Sequence, residues 1–155
     1  MKTSNAAELR FIEQLGQQAQ NDGISRIAGQ IWAALIISDG PVSSGELMDL
    51  LHISKGSVST NTRMLEMMHI VERRSKPGER QDYFSIRQNP YSALVEGQLK
   101  RFQTAKTVVA EAKAGITNAR AQAKLADLDR FYTLYFAKSE ALLEELKSAP
   151  ETGEI

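Results

Sequence analysis

Residues 43–87 read SSGELMDLLHISKGSVSTNTRMLEMMHIVERRSKPGERQDYFSIR, and this stretch decides the fold. Ser43 and Glu46 fit a capping box, which predicts a short helix from about Ser44 to Leu51. A turn then leads to Ser54, a residue type that favours the N-cap of a second, longer helix. The stretch therefore predicts a helix-turn-helix.

Two strands are expected after the second helix. Ile70 and Val71 begin the first strand, and the segment 76–80, Lys-Pro-Gly-Glu-Arg, has Pro-Gly at the position of a turn. From Asp82 to Arg87 the side chains alternate with a period of two, which is typical of a return strand. A two-stranded ribbon is marginal alone, so we expect it to pack on the helices. The predicted fold class is mainly α: a winged helix-turn-helix with a three-helix core, a β-ribbon wing and long C-terminal dimerisation helices.

The second helix has two chemically different sides. Val58 and Leu65 point the same way at about 100° per residue, whereas Gly56, Thr60 and Arg63 point the other way. Gly and Ser on an exposed helix cost roughly 0.5 to 1 kcal/mol each relative to Ala. A side rich in these residues therefore favours close approach to the wall of a groove. The alternative is a helix surface that is merely solvated.

The chain has no net charge, but its charges are unevenly distributed. Residues 54–87 include seven basic and four acidic side chains, and residues 140–155 include five acidic and one basic. Contacts with phosphate require Lys and Arg, so the basic region suits a polyanion such as DNA. The acidic tail would help to orient the protein on it, although a charged surface is often only a solvated one.

Composition argues against several classes of protein. With 155 residues, 42% of them hydrophobic and 25% charged, the chain suits a globular domain with a helical extension. No apolar run matches a membrane span and the N-terminus lacks the features of a signal peptide, so a cytoplasmic location is expected. There is no cysteine, and His52 and His69 are the only histidines, so no metal site is expected. No Gly-rich phosphate loop, Gly-x-Ser-x-Gly motif or paired histidine is present, so neither an enzyme nor a cofactor is expected.

Helices are also expected before this stretch. Leu9, Ile12 and Leu15 recur at helical spacing within residues 5–20. The segment from Ile24 to Ser38 is apolar nearly all round, which predicts the central buried helix of the winged unit. We therefore divide the chain into an N-terminal helix (1–23), a winged helix-turn-helix domain (24–88) and a helical dimerisation region with an acidic tail (89–155).

Residues 89–155 are expected to form long helices. Asn89-Pro90 suits the N-cap and first residue of a helix, and after Gly115 apolar residues repeat with a/d spacing from Ala121 to Leu146. A helix of that length exposes more apolar surface than a small domain can cover. Either a hairpin within the chain or a second chain covers this seam, and both are expected to contribute. The larger seam residues are the predicted dimerisation residues: Leu125, Leu128, Tyr132, Tyr135, Leu142 and Leu146. The alternative role for the two tyrosines is to line a ligand pocket, but aromatic residues at this spacing are more typical of a core.

Two motifs carry a resemblance to a known family. Ser-Lys-Gly-Ser-Val-Ser-x-Asn-x-Arg-x-Leu-Glu at 54–66 and Pro-Gly-Glu-Arg-x-Asp-Tyr at 77–83 resemble the MarR-type winged-helix transcriptional regulators. The resemblance is strongest over Ile24 to Gln88 and is closest to the branch of the glycine-betaine-synthesis regulator (GbsR-like). It implies a dimeric DNA-binding regulator, often a repressor, whose second helix enters the major groove. It also implies that Arg80, after Glu79 where the family more commonly has Asp, reaches the minor groove.

For some members, the resemblance also implies a small-molecule effector such as a choline-like quaternary amine. Such a cation would require an aromatic cage. The aromatic residues available for it are Trp32, Phe102, Tyr132 and Tyr135, which the sequence does not place together.

We therefore predict a sequence-specific transcriptional regulator that binds double-stranded DNA, as a dimeric repressor that reads a palindromic operator. The alternative is a winged-helix module that binds another protein and not DNA. The expected partners are double-stranded DNA, a second copy of the chain and a small-molecule effector of unknown identity, with no membrane. Thr60 and Arg63 are expected at base edges, with Lys55 and Ser57 near phosphate. The complete set predicted at the DNA is Lys55, Ser57, Ser59, Thr60, Asn61, Arg63, Arg73, Arg74, Lys76 and Arg80.

Overall fold

The computed structural model describes residues 5–75, 78 and 81–148. The chain divides into two compact units, Met1–Pro90 and Tyr91–Ile155. Two residues predicted at the wing tip, Lys76 and Arg80, lie outside the described residues, as does the end of the acidic tail. None of the helices in the described ranges combines the length and the apolar character that crossing a membrane requires.

In the first unit, two helices cross at very short range. These are α1 (Ala6–Asn21) and α2 (Arg26–Ile36). A Cβ atom on Gly29 would lie 2.5 Å from the Cβ of Ala19, and one on Gly16 would also meet a side-chain atom at 2.5 Å. Glycine at these two positions therefore lets the backbones approach. As a result, α1 packs in the same unit as α2. In the sequence analysis, α1 is assigned to a segment separate from the winged domain.

The central helix of this unit is α2, as predicted. Its buried residues are Ala28, Gly29, Ile31, Ala33, Ala34 and Leu35. The core is completed by large side chains from the helices and strands that follow, and the largest fully buried residues are Phe84, Ile31, Leu47, Leu65, Ile70, Val58, Val71 and Thr62. Burial of this apolar set is the main force that holds the first unit together.

The helix-turn-helix has the predicted boundaries. It consists of α3 (Ser44–Leu51) and α4 (Lys55–Met67). At the start of α3, the Ser43 hydroxyl accepts from the Glu46 N–H at 3.2 Å, and the Glu46 carboxylate accepts from the Ser43 N–H at 2.8 Å. This is the capping box read from the sequence. The Ser54 hydroxyl caps α4 by accepting a backbone hydrogen bond at 3.2 Å.

The sheet has three strands where the sequence predicts two. The strands are β1 (Val42–Ser43), β2 (Val71–Ser75) and β3 (Asp82–Ile86), all antiparallel in the order β1-β3-β2. Val42 of β1 pairs with Phe84 of β3, and both are buried. The prediction missed β1 because two residues are too few to display an alternating pattern.

The second unit consists of α5 (Pro90–Gly115) and α6 (Ala119–Ser148). Pro90 is the first residue of α5, as predicted. The preceding Asn89 was assigned by sequence to the N-cap but has a φ of 50°, in the left-handed region. N-cap residues are normally extended, and Asn is one of the few residue types that tolerate this conformation.

Two ion pairs join these helices as an antiparallel hairpin. Lys113, near the end of α5, lies 2.9 Å from Asp129 in the first half of α6. Glu96, near the start of α5, lies 2.8 Å from Lys147 near the end of α6. Hydrogen bonding to Lys113 lowers the pKa of Asp129, and hydrogen bonding to Glu96 raises the pKa of Lys147. These ion pairs hold α5 and α6 side by side.

The hairpin does not cover the whole seam. Leu125, Tyr132 and Leu146 are half-buried, whereas Leu128, Tyr135 and Leu142 are 39%, 38% and 47% exposed. Two other apolar residues of α6 are more exposed still, Phe131 at 52% and Leu134 at 56%.

Candidate nucleic-acid interface

The helix α4 is fixed by one apolar side. Val58 and Leu65 are each 1% exposed, and both belong to the core of the first unit. The exposed residues of the helix include Lys55 in its first turn and, turned away from Val58, Gly56, Ser59, Thr60 and Arg63. We call these five residues the outer side of α4. This side contains glycine and serine, the residue types from which the sequence analysis expects close approach to a groove.

Asn61 does not belong to this surface. The sequence places it among the residues at the DNA, but in the structure it is only 7% exposed. Its side-chain amide donates to the Ser57 carbonyl oxygen at 2.8 Å and lies 3.4 Å from the Ser57 hydroxyl. The reason is helical geometry: Asn61 is three residues after the buried Val58 and shares its side. Ser57, whose hydroxyl was predicted near phosphate, is half-buried.

Gly56 has no structural reason to be a glycine. A Cβ atom at this position would meet only the Ser54 hydroxyl, at an ordinary contact distance of 3.8 Å. The residue lies inside a helix, where glycine is less favourable than alanine. It is absent from the predicted set of site residues, although an exposed glycine in a helix is a signal that was available in the sequence.

Two basic residues of α4 are available to an external anion. Lys55 and Arg63 make no hydrogen bond or ion pair with any residue in the described ranges. Both are exposed, at the beginning and past the middle of the helix. They place two uncompensated positive charges on the outer side of α4.

Arg74 of β2 projects from the ribbon and pairs within its own strand. Its side chain is 64% exposed, and its Nε donates to the Glu72 carboxylate at 2.9 Å. Glu72 also accepts from the Ser85 hydroxyl at 3.1 Å. The hydrogen bond from Arg74 and then that from Ser85 hold the pKa of Glu72 below its ordinary value of 4.5.

Arg73, the other predicted arginine of β2, is held differently. Its Nε and Nη2 donate to the two carboxylate oxygens of Glu66 at 3.0 and 3.2 Å. Its Nη1 lies 3.6 Å from Asp82 on β3, and its Cζ lies 5.7 Å from the centre of the Phe84 ring. All three nitrogens of this guanidinium thus face groups of the protein itself.

The two histidines are located where helices end. His52 follows α3 with a φ of 53°, and His69 comes just after α4 with a φ of 58°. The Nδ1 of His69 lies 2.9 Å from the Arg87 guanidinium. Across residues 5–75, 78 and 81–148, no three His, Asp or Glu side chains converge in a way that would hold a metal ion.

The second unit brings together three of the four aromatic residues considered for a cation site. The Phe102 ring centre lies 4.2 Å from that of Tyr135 and 5.3 Å from that of Tyr132. Phe131, which the sequence did not group with them, lies 6.4 Å from Phe102. These rings pack edge to face or tilted against one another, which are the arrangements that aromatic pairs prefer. A cation cage requires faces that are turned towards a shared space.

A solved structure and a curated relative resemble this chain, whereas no family model matches it. The crystal structure of a transcriptional regulator superimposes with a TM-score of 0.80 at 23% identity, over 92% of this chain and 99% of that chain. This likeness shows the winged-helix fold. A crystal structure of MarR superimposes with a TM-score of only 0.42 at 15% identity, over 88% of this chain and 93% of that chain, which is too loose to support an inference.

The curated relative is the HTH-type transcriptional regulator MmpR5 of Mycobacterium tuberculosis (strain ATCC 25618 / H37Rv). It is 36% identical over 86 residues, which is 55% of this chain and 52% of MmpR5. The chain thus spans about half the length of the curated relative that it matches.

Proposed function

We propose that this chain is a sequence-specific transcriptional regulator of the MarR type that binds double-stranded DNA, with α4 in the major groove. The observation that carries the proposal is the outer side of α4, which combines a glycine, small hydroxyl residues and two basic side chains that pair with no described residue. A helix of this kind can approach base edges closely while its cations meet phosphate. The similarity to a curated HTH-type regulator supports the same function.

Three residues of this surface have a proposed role. Arg63 reaches a guanine edge, where its planar guanidinium can donate two hydrogen bonds. Thr60 contacts a neighbouring base. Lys55, in the first turn of α4, neutralises a phosphate, and the backbone N–H groups of that turn favour the same anion.

We further propose that the regulator is a homodimer and acts as a repressor on a palindromic operator. One helix-turn-helix reads only a few base pairs, whereas two copies related by a two-fold axis read half-sites about 34 Å apart. The proposed dimer surface is the exposed part of α6, where Leu128, Phe131, Leu134 and Leu142 are between 39% and 56% exposed. Several large apolar side chains exposed along one helix suit an interface with a second chain.

The test of the proposed function is to select bound fragments from random double-stranded DNA with the purified chain. A defined sequence with two inverted half-sites is the expected result. Arg63→Ala should then weaken binding to that sequence by about 1 to 3 kcal/mol and relax the preference at one position in each half-site. Arg10→Ala, at an exposed position of α1, is the matched control and should leave the selected sequence unchanged. Recovery of no preferred sequence by the wild-type protein would refute the proposal.

A further inference from the structure

Arg73 joins three elements of the winged unit through one side chain. It belongs to β2, it pairs with Glu66 in the last turns of α4, and it lies beside Asp82 at the start of β3. The guanidinium also lies over the ring of the buried Phe84, with 5.7 Å between Cζ and the ring centre. The contact with Glu66 uses two parallel hydrogen bonds, an arrangement that fixes orientation as well as distance.

This arrangement links the two parts that would touch DNA. The outer side of α4 would read bases, and the ribbon formed by β2 and β3 is the wing. Glu66 lies on α4, outside that outer side, and Arg73 and Asp82 lie on the ribbon. The ion pairs therefore constrain the ribbon relative to the helix at the exposed edge of the unit, outside the apolar core.

Arg74 offers a direct contrast on the same strand. Its side chain is 64% exposed, compared with 36% for Arg73. Its partner Glu72 is only two residues away, so that pair bridges no separate elements. Of the two arginines, only Arg73 connects the ribbon to α4.

We propose that Arg73 is a positioning residue for DNA recognition and does not itself contact phosphate. By holding the ribbon against the end of α4, it sets the separation at which the helix and the wing engage the duplex together. This proposal rests on the DNA-binding function proposed above, and it assigns to Arg73 a role other than the direct contact that the sequence predicts.

Glu66→Gln gives opposite results under the two roles. If Arg73 positions the wing, loss of the carboxylate loosens the ribbon and weakens binding to the selected DNA by up to about 5-fold, the upper end of the range expected for one exposed ion pair. If Arg73 contacts phosphate, the same substitution removes a competing anion and binding becomes tighter. Glu72→Gln is the matched control, because it removes a carboxylate from the same strand and frees Arg74 without touching the link between α4 and the ribbon.

Arg73→Lys provides a second test that does not depend on the first variant folding well. Lysine keeps the positive charge but cannot form the two parallel hydrogen bonds to Glu66. We expect affinity to fall about as much as in Glu66→Gln, with an unchanged slope of log affinity against log salt. A phosphate contact would instead be largely rescued by lysine, and Arg73→Gln would then reduce the slope by about one unit.

The two proposals fail in different ways. A wild-type protein that selects no DNA sequence overturns the function. A wild-type protein that selects one, combined with tighter binding by Glu66→Gln or a reduced salt slope in Arg73→Gln, overturns the positioning role alone.

Discussion

Gly29 of α2 lies against Ala19 of α1 so closely that a Cβ atom on the glycine would come within 2.5 Å of the alanine Cβ. Backbone atoms of α1 are equally near, with the Leu15 carbonyl oxygen at 2.8 Å from that Cβ position. Backbone cannot move aside as a flexible side chain can, so this crossing requires glycine. The contact fixes α1 on the central helix of the first unit.

Gly29→Ala should therefore destabilise the protein even though alanine favours helices. Overpacking of this kind costs about 1 to 3 kcal/mol, which exceeds the gain in helix propensity of up to about 1 kcal/mol. The free energy of unfolding, measured by urea denaturation, should fall by the difference. Gly40→Ala is the control, since nothing lies within 4 Å of its Cβ position, and a comparable loss there would contradict the explanation.

Gly56→Ala should have the opposite effect on stability and a cost in DNA binding. The new Cβ meets only the Ser54 hydroxyl at 3.8 Å, so the helix should gain about 0.5 to 1 kcal/mol. If the glycine permits close approach to the groove, affinity for the selected DNA should fall while thermal stability rises. Both quantities can be measured on the same preparation, and a more stable variant with unchanged affinity would exclude this role for Gly56.

The sequence predicted the helix-turn-helix well because its signals are local. Ser43 and Glu46 cap one helix and Ser54 caps the next, and each of these interactions spans only three residues. Asn61 is assigned to the DNA surface in the sequence analysis because it is polar. Its spacing of three residues from the buried Val58 predicts instead that it points inward. The fold satisfies this amide within the helix, at 2.8 Å from a carbonyl oxygen, so burial is tolerated.

Contacts between distant parts of the chain were not predictable in the same way. The link between Glu66 and Arg73 spans seven residues and a turn, so no helical or strand periodicity reveals it. The sequence does not distinguish Arg73 from Arg74, because both are basic residues of the ribbon. The structure shows that the guanidinium of Arg73 is directed at other groups of the protein, whereas Arg74 is more exposed. Similarly, Phe102 meets Tyr132 and Tyr135 only because the second unit folds back as a hairpin.

The wing tip is expected to contribute non-specific affinity. Lys76 and Arg80 lie close together in the sequence, between the ends of β2 and β3. Replacing both with Ala should weaken binding to all sequences and flatten the slope of log affinity against log salt by about two units, roughly one per phosphate contact. Titrations at several salt concentrations will measure this, with Lys100→Ala and Lys124→Ala together as the control outside the winged unit. A full slope in the wing variant would show that these residues do not meet phosphate.

Glu72 should make stability depend on pH in the acid range. Its pKa is lowered in the folded state, first by Arg74 and then by Ser85, from an ordinary value of 4.5. Its contribution to stability is therefore present above the pKa of the unfolded chain and disappears as pH falls through the lower folded pKa. Glu72→Gln should lower the melting temperature at neutral pH but not in strong acid. A difference between the two proteins that stays constant from neutral pH to strong acid would contradict this assignment.

The proposed dimer depends on the apolar residues of α6 that the hairpin leaves exposed. Leu128 and Leu142 are 39% and 47% exposed, and burying a large apolar side chain stabilises by roughly 1.5 to 3 kcal/mol. Leu128→Asp with Leu142→Asp would place two charges from each protomer in that surface. We expect a monomer in sedimentation experiments and loss of binding to the paired half-sites, because each remaining helix-turn-helix would read one half-site alone. The matched control is Thr133→Asp, at an exposed position on another side of α6, which should remain dimeric and bind normally. A wild-type chain that is monomeric at micromolar concentration and still protects both half-sites would show that these leucines serve some purpose other than dimerisation.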